Sequence, residues 1–261
     1  MTAPIITLTT DFGLRDPFVG IVKGVILGIC REARLVDLTH QITPRDVLEG
    51  ALALRSASRF FPPGSIHLAV IDPGVGSARR ALGLWAGGQY FVGPDNGLFT
   101  FALGAREWSA VSIEPPYRLP AVSGTFHARD IFAPAAAYLG LGVPLERLGP
   151  PVADPVRLPL PECRIEGGEV VGQVIGSDRF GNLLTSVTAE RVDEFTAAGP
   201  IVVTLGQRDL GSVASCYEDG ALGVPRPIIG SSGHLEIFVR NGSALALFPA
   251  GRGTPVRLRR P

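Results

Sequence analysis

Between Gly142 and Pro161 the chain carries Pro144, Pro150, Pro151, Pro155, Pro159 and Pro161, and this run restricts the fold more than any other feature. Each proline removes a backbone donor and holds φ near a single value, so the stretch reads as an extended connector that cannot be helical. The two flanks differ in period. Upstream, short β-branched runs alternate with segments of helical spacing. Downstream, β-rich runs are cut by turn residues. The expected organisation is an α/β domain over 1–150, a proline-rich linker over 151–165 and a smaller all-β domain over 166–261, about ninety residues and within the usual domain range.

Upstream, Ile5–Thr9 reads as a buried strand ending in the polar turn Asp11-Phe12-Gly13. Helical spacing follows from Phe18 to Cys30, with Pro17 suited to a first turn. Arg34–Leu38 and Ser65–Val70 are further strands, and Pro44 to Phe60 is a helix with Thr43 as its N-cap. Leu82–Trp85 and Tyr90–Gly93 form a strand pair, Asp95 or Asn96 can cap a short helix, and Asp130 to Gly140 is a helix closed by glycine. Such alternation predicts a mostly parallel sheet flanked by helices. Downstream, Asn241-Gly242 between the apolar runs Leu235–Val239 and Ala244–Phe248 predicts a hairpin.

Composition removes several function classes. Lys plus Arg equals Asp plus Glu at 24 each, so the net charge favours neither nucleic acid nor an anionic membrane. The longest helix-like apolar run, Ile21 to Cys30, contains Lys23 and is far short of the roughly 20 residues of a membrane span. Cys30, Cys163 and Cys216 are too far apart for a disulfide framework or a zinc site, and the N-terminus lacks the basic n-region of a signal peptide. A cytoplasmic protein is expected.

Four polar clusters stand at strand ends or turns, where α/β sheets bind ligands. In the first, Asp11 follows strand one and is placed to accept two ribose hydroxyls; it reads equally as an Asx-turn or helix cap. In the second, Asp72-Pro73-Gly74-Val75-Gly76 puts a carboxylate before a tight turn that can fold Arg79 back onto it. Its G-x-G has neither dinucleotide nor P-loop spacing, and a structural ion pair is the alternative reading. The third holds His127, one of four histidines, before the last upstream helix. No partner stands at metal-ligand spacing, which leaves a structural ring or a partner for Asp72 and Arg79. In the fourth, Asp178-Arg179-Phe180-Gly181-Asn182 offers an amide suited to a purine edge and a ring suited to its face. Farther on, Ser231, Ser232 and Glu236 supply hydroxyls and a carboxylate for the polar ends of an amino acid, and both of these stretches read equally as polar turns.

Taken in order, TLTTDFGLRDPFVG, DLTHQITPRDVLEGA, FFPPGSIHLAVIDPGVGSARR, GPDNGLF, SGTFHARDIFAPAAA, DRFGNLLTS and GSSGHLEIFV resemble the S-adenosyl-L-methionine (SAM) hydroxide adenosyltransferase family. These SAM hydrolases are related to the SAM-dependent fluorinase and chlorinase. The resemblance implies an α/β domain followed by a barrel-like β domain, in a homotrimer that holds SAM between the first domain of one subunit and the second domain of its neighbour. It implies that water attacks the ribose C5′, releasing adenosine and L-methionine, with ordinary SAM or its (R)-sulfonium epimer as substrate and no cofactor or metal. The catalytic pattern falls on Asp72, Arg79 and His127. Ligand contacts fall on Asp11, Asp16, Asp178, Phe180, Asn182, Ser231, Ser232, Glu236 and Val239. In the halogenases a tyrosine matches Asp72, and an extra loop is present that this chain lacks. A halogenase or a non-catalytic SAM- or adenosine-binding protein are the alternatives.

Overall fold

The computed structural model describes residues 3–248 and 251–261. The chain divides into two compact units, Met1–Leu160 and Pro161–Pro261.

The first unit is built on six strands: β1 (Ile5–Thr10), β2 (Arg34–Thr39), β3 (Ile66–Val70), β4 (Ala81–Ala86), β5 (Gln89–Pro94) and β6 (Trp108–Ser112). They lie in the order β2-β1-β3-β5-β4-β6. Pairing is parallel from β2 through β5, but β4 runs antiparallel to both β5 and β6. The expected mostly parallel sheet is therefore a mixed one. The Gly87-Gly88 turn, both residues at positive φ, reverses the chain in two residues and leaves no room for a crossover helix.

Central strands bury both faces. Along β1, Ile6 and Leu8 point to one side and Thr7 and Thr9 to the other, and all four are fully buried. The Ile6 side packs against helix α1 (Phe18–Ile29) and helix α3 (Ala133–Gly140). Opposite, Ala69, Ile71, Leu84 and Phe91 pack against helix α2 (Val47–Ser58). Each fully buried Leu or Ile contributes roughly 1.5–3 kcal/mol to holding these two layers on the sheet. Helix α2 begins later than expected. Arg45 sits at φ 70, which no helix can pass through, so the cap is Asp46, whose carboxylate accepts the Glu49 N–H at 2.9 Å. Thr43 only closes the preceding turn, its carbonyl accepting the Asp46 N–H.

After α3 the proline-rich stretch is not wholly extended, because Pro144 leads into a 3-10 turn at Leu145–Arg147. It then runs along the first unit. Val156 N–H donates to Asp95 and Leu158 N–H to Thr100, both at 2.8 Å.

The second unit is an antiparallel, barrel-like sheet. Its strands are β7 (Arg164–Glu166), β8 (Glu169–Ser177), β9 (Leu183–Thr188), β10 (Val202–Leu205), β11 (Arg208–Gly211), β12 (Pro225–Ile229), β13 (His234–Val239) and β14 (Pro255–Arg259). The path β11-β10-β14-β8-β9-β13-β12 is nearly closed, since Ala214 just past β11 bridges to Ile228 in β12. Strand β8 serves both halves by bending at an irregularity between Val174 and Gly176. The unit is not all-β: helix α4 (Ala189–Ala197) is capped by Thr188, and a short helix α5 (Ala244–Leu247) stands where a second hairpin strand was expected. Asn241 does turn the chain, at φ 53, but Ser243 then accepts the Ala246 N–H and starts a helical turn. The Ala-Leu-Ala-Leu run that follows favours helix over strand.

Candidate functional site

Strands β1, β3 and β5 are parallel, so their C-terminal ends share one edge of the sheet. Asp11 directly follows β1, Asp72 stands two residues beyond β3, and Asn96 two beyond β5. Asn96 Nδ2 donates to the Ile71 carbonyl at 2.8 Å, tying the β5 end to the residue before Asp72.

From that edge the turn of residues 72–80 folds back as its spacing predicts. Arg79 Nε donates to Asp72 Oδ1 at 2.8 Å and Arg79 Nη2 donates to Asp72 Oδ2, a fork-to-fork pair. The side chains are almost enclosed, 10% exposed for Arg79 and 5% for Asp72. Arg79 Nη2 also lies 2.8 Å from His127 Nδ1, so one guanidinium nitrogen serves both partners. The guanidinium rests over the Phe132 ring at 5.2 Å.

Two local devices bring His127 there. Gly76 has φ 78 and lies so close to Gly124 that a Cβ would run into the Gly124 carbonyl oxygen, which makes glycine necessary where the two loops meet. Next, a π-helical turn at Ala128–Phe132 opens the helical segment that continues as α3. Arg129 and Asp130 fix this start: Arg129 Nε donates to Asp130 Oδ1 at 2.6 Å, and Asp130 Oδ2 accepts the Ser123 N–H at 2.8 Å. Burial, together with the nearby Arg79 charge, pushes the His127 pKa below its ordinary value and favours the neutral ring. Guanidinium nitrogens only donate, so Nδ1 is the acceptor and the ring proton sits on Nε2.

Asp11 Oδ2 accepts the backbone N–H of Arg45 at 2.8 Å, and Asp16 is exposed beyond the turn. An arginine at positive φ has no sequence signal, and its part in holding Asp11 is a backbone one.

In the second unit, Asp178 Oδ1 accepts the N–H groups of Phe180 and Asn182 at 2.9 Å, and Oδ2 accepts Asn182 Nδ2 at 2.8 Å. A carboxylate takes only donors, so Asp178 fixes which end of the buried Asn182 amide faces it. Asn182 Oδ1 is the acceptor turned from that contact. Phe180 beside it is 78% exposed. Glu236 is buried on β13 with the Ser232 hydroxyl 3.3 Å from Oε1; burial, with the Asp178 charge, raises its pKa. Ser231 is exposed at the turn before β13, whereas the Val239 side chain lies in the barrel core. Among the described residues, no three or more His, Cys, Asp or Glu are grouped to hold a metal ion, and no helix is long and apolar enough to cross a membrane.

Residues 6–149 match the SAM hydroxide adenosyltransferase N-terminal domain and residues 172–257 the C-terminal domain of the same family. The chain is 43% identical to the (R)-S-adenosyl-L-methionine hydrolase of Thermus thermophilus, covering 95% of this chain and 97% of that protein. A Salinispora tropica protein of the same name is 38% identical over 98% and 97% of the two chains. A fluorinase of an Actinoplanes species is 30% identical over 93% of each. Among solved structures, an uncharacterized conserved protein from Thermotoga maritima superposes with a TM-score of 0.91 at 34% identity, over 98% of this chain and all of that one.

Proposed function

The chain belongs to the SAM hydroxide adenosyltransferase family, and from that premise we propose that it hydrolyses SAM by attack of water on the ribose C5′, directed by Asp72, Arg79 and His127. The observation that carries the mechanism is the shared Arg79 Nη2, which bonds Asp72 and His127 at once.

That sharing divides the roles. Arg79 has donors only, and His127 Nδ1 is occupied by it, so neither accepts a proton in this arrangement. Each Asp72 oxygen takes one bond from Arg79 and keeps lone pairs for a water. Asp72 therefore takes the water's proton while His127 Nε2–H holds the water oxygen. Attack in line, from roughly 3–3.5 Å, forms C5′–O as C5′–S breaks. The bonding pair goes to sulfur, so the sulfonium leaves as the neutral thioether of methionine and needs no general acid. The proton passes from Asp72 to solvent. Adenosine and L-methionine are the products, and no cofactor takes part.

Asp11 grips the ribose hydroxyls with Asp16 nearby. Asn182 and Phe180 read and stack on the adenine, with Asp178 orienting the amide, and Ser231, Ser232, Glu236 and the Val239 backbone receive the amino-acid end. The assembly is a homotrimer with sites at subunit interfaces, as the family resemblance implies. The protein works in the cytoplasm, in keeping with its three free thiols. The substrate is the (R)-sulfonium epimer, on the names of the relatives at 43% and 38% identity.

Chromatography of products from each separated epimer tests this reading. Adenosine and methionine should form in equal amounts, faster from the (R) epimer. Recovery of 5′-chloro-5′-deoxyadenosine in high chloride would assign a halogenase, and tight binding without methionine release a SAM-binding protein.

A further inference from the structure

A second histidine lies beneath the loop that carries Asp11. His40, directly after β2, is 4% exposed, and its ring Nδ1 lies 2.8 Å from Thr10 Oγ1 at the end of β1. The Thr10 oxygen also accepts the Phe12 N–H at 3.3 Å, and the His40 carbonyl accepts the Gly13 N–H at 2.8 Å. One residue thus holds the turn around Asp11 from both sides. Behind the ring, Nε2 lies 3.0 Å from Asp37 Oδ1, a polar contact without the alignment of a hydrogen bond. The other Asp37 oxygen accepts Lys23 Nζ from α1 at 2.7 Å.

The donors run in one direction. A bare Nε2 lone pair would oppose the Asp37 carboxylate 3.0 Å away, so the His40 ring proton sits on Nε2. Nδ1 then accepts from the Thr10 O–H, which accepting from Phe12 leaves free. Burial alone would raise the Asp37 pKa, but Lys23 and His40 hold it low, so the carboxylate stays charged. Each group polarises the next.

We propose that His40 is a positioning residue for substrate binding: through Thr10 and the Phe12 backbone it sets the direction of the Asp11 carboxylate, and hence the grip on the ribose hydroxyls. The inference rests on the reading of Asp11 as the ribose ligand. His40 touches no reacting atom. Its contribution is to KM.

A double-mutant cycle on the full-length protein with SAM tests it. His40→Ala should raise KM about tenfold with kcat changed less than about twofold, the loss of one hydrogen bond near a charged group. His40→Asn, whose amide stands near the place of Nδ1, should return KM to within about threefold of wild type. In an Asp11→Ala background, His40→Ala should change KM less than about twofold. Should His40→Ala fail to fold, Thr10→Val removes the same bond from the other side and takes its place in the cycle. Effects of Asp11 and His40 that multiply independently overturn the inference, because His40 then acts elsewhere. An unchanged KM in Asp11→Ala overturns the ribose reading and this inference with it. A KM raised by Asp11→Ala but untouched by His40→Ala overturns the inference alone.

Discussion

Asp72→Asn keeps the shape of the side chain and removes its charge, so it isolates what the carboxylate does. Arg79 presents two N–H groups to two carboxylate oxygens, at Nε and Nη2. In the variant one oxygen becomes an NH2, and a donor faces a donor. The Arg79 charge, on a side chain 10% exposed, is left without its counter-charge. Breaking a buried pair from one side costs about 3–5 kcal/mol, and the remaining amide oxygen places this case near the lower figure. For a unit of this size that lowers Tm by roughly 6–12 °C, enough to see in a thermal melt and too little to unfold the protein at 25 °C. Turnover should fall about 10²–10⁴-fold, the usual range for losing a general base. SAM affinity by calorimetry should stay within about tenfold, because the lost interaction forms with the reacting water. Adenosine release by chromatography reads the rate. Turnover within about fivefold of wild type, in a protein that melts at the lowered temperature, would refute the assignment of Asp72 as proton acceptor.

His127 has a folded pKa below the ordinary 6.5, so the unfolded chain takes up the proton first as pH falls. Stability should begin to decline as pH drops below that ordinary value, turnover only at the lower pH where the folded ring takes up its proton, and Arg79→Met should move the pH–rate limb upward; an unmoved limb separates His127 from Arg79. His67 follows the same sign on a larger scale: burial lowers its pKa to about 4, and it stacks on Phe91 at 5.0 Å. His67→Phe should therefore unfold at lower pH than wild type in a circular-dichroism titration, and an identical midpoint contradicts a neutral buried ring. Gly76→Ala forces a Cβ at φ 78 against Gly124, and should cut turnover more than tenfold with about 1–3 kcal/mol of stability lost, by kinetics and melting. Phe180→Ala, at a side chain 78% exposed, should raise KM about tenfold with Tm unchanged within a degree or two.

How far the site was legible depended on whether each contact is local. The seven-residue step from Asp72 to Arg79, with glycines between, announces a turn that returns one side chain to the other. Asp130 beside Arg129 is equally local. His127 is 48 residues from Arg79, and nothing in its own segment names that partner; it emerged only from the order of seven motifs. The close approach of Gly76 to Gly124 is what makes the contact, and a glycine's reason is invisible until both loops are in place. The misread features share another cause. Thr43 looked like a cap because the left-handed Arg45 carries no sequence mark. The Ala244–Phe248 run looked like a strand because an Asn-Gly turn suits a hairpin, although Ser243 was the better guide. The antiparallel β4 was concealed by strand runs whose direction only the Gly87-Gly88 turn decides. His40 carries no mark of its own within its motif, because its ring serves a neighbouring strand rather than the ligand.

The central claim is that oxygen from water becomes the 5′-hydroxyl of adenosine in one displacement at carbon. Turnover of SAM in oxygen-18 water, read by mass spectrometry of the nucleoside, tests it most directly. One labelled oxygen per adenosine, carried by the fragment that contains C5′, is the predicted result. Adenosine formed without label would contradict attack of water at that carbon, and with it the catalytic roles of Asp72, Arg79 and His127.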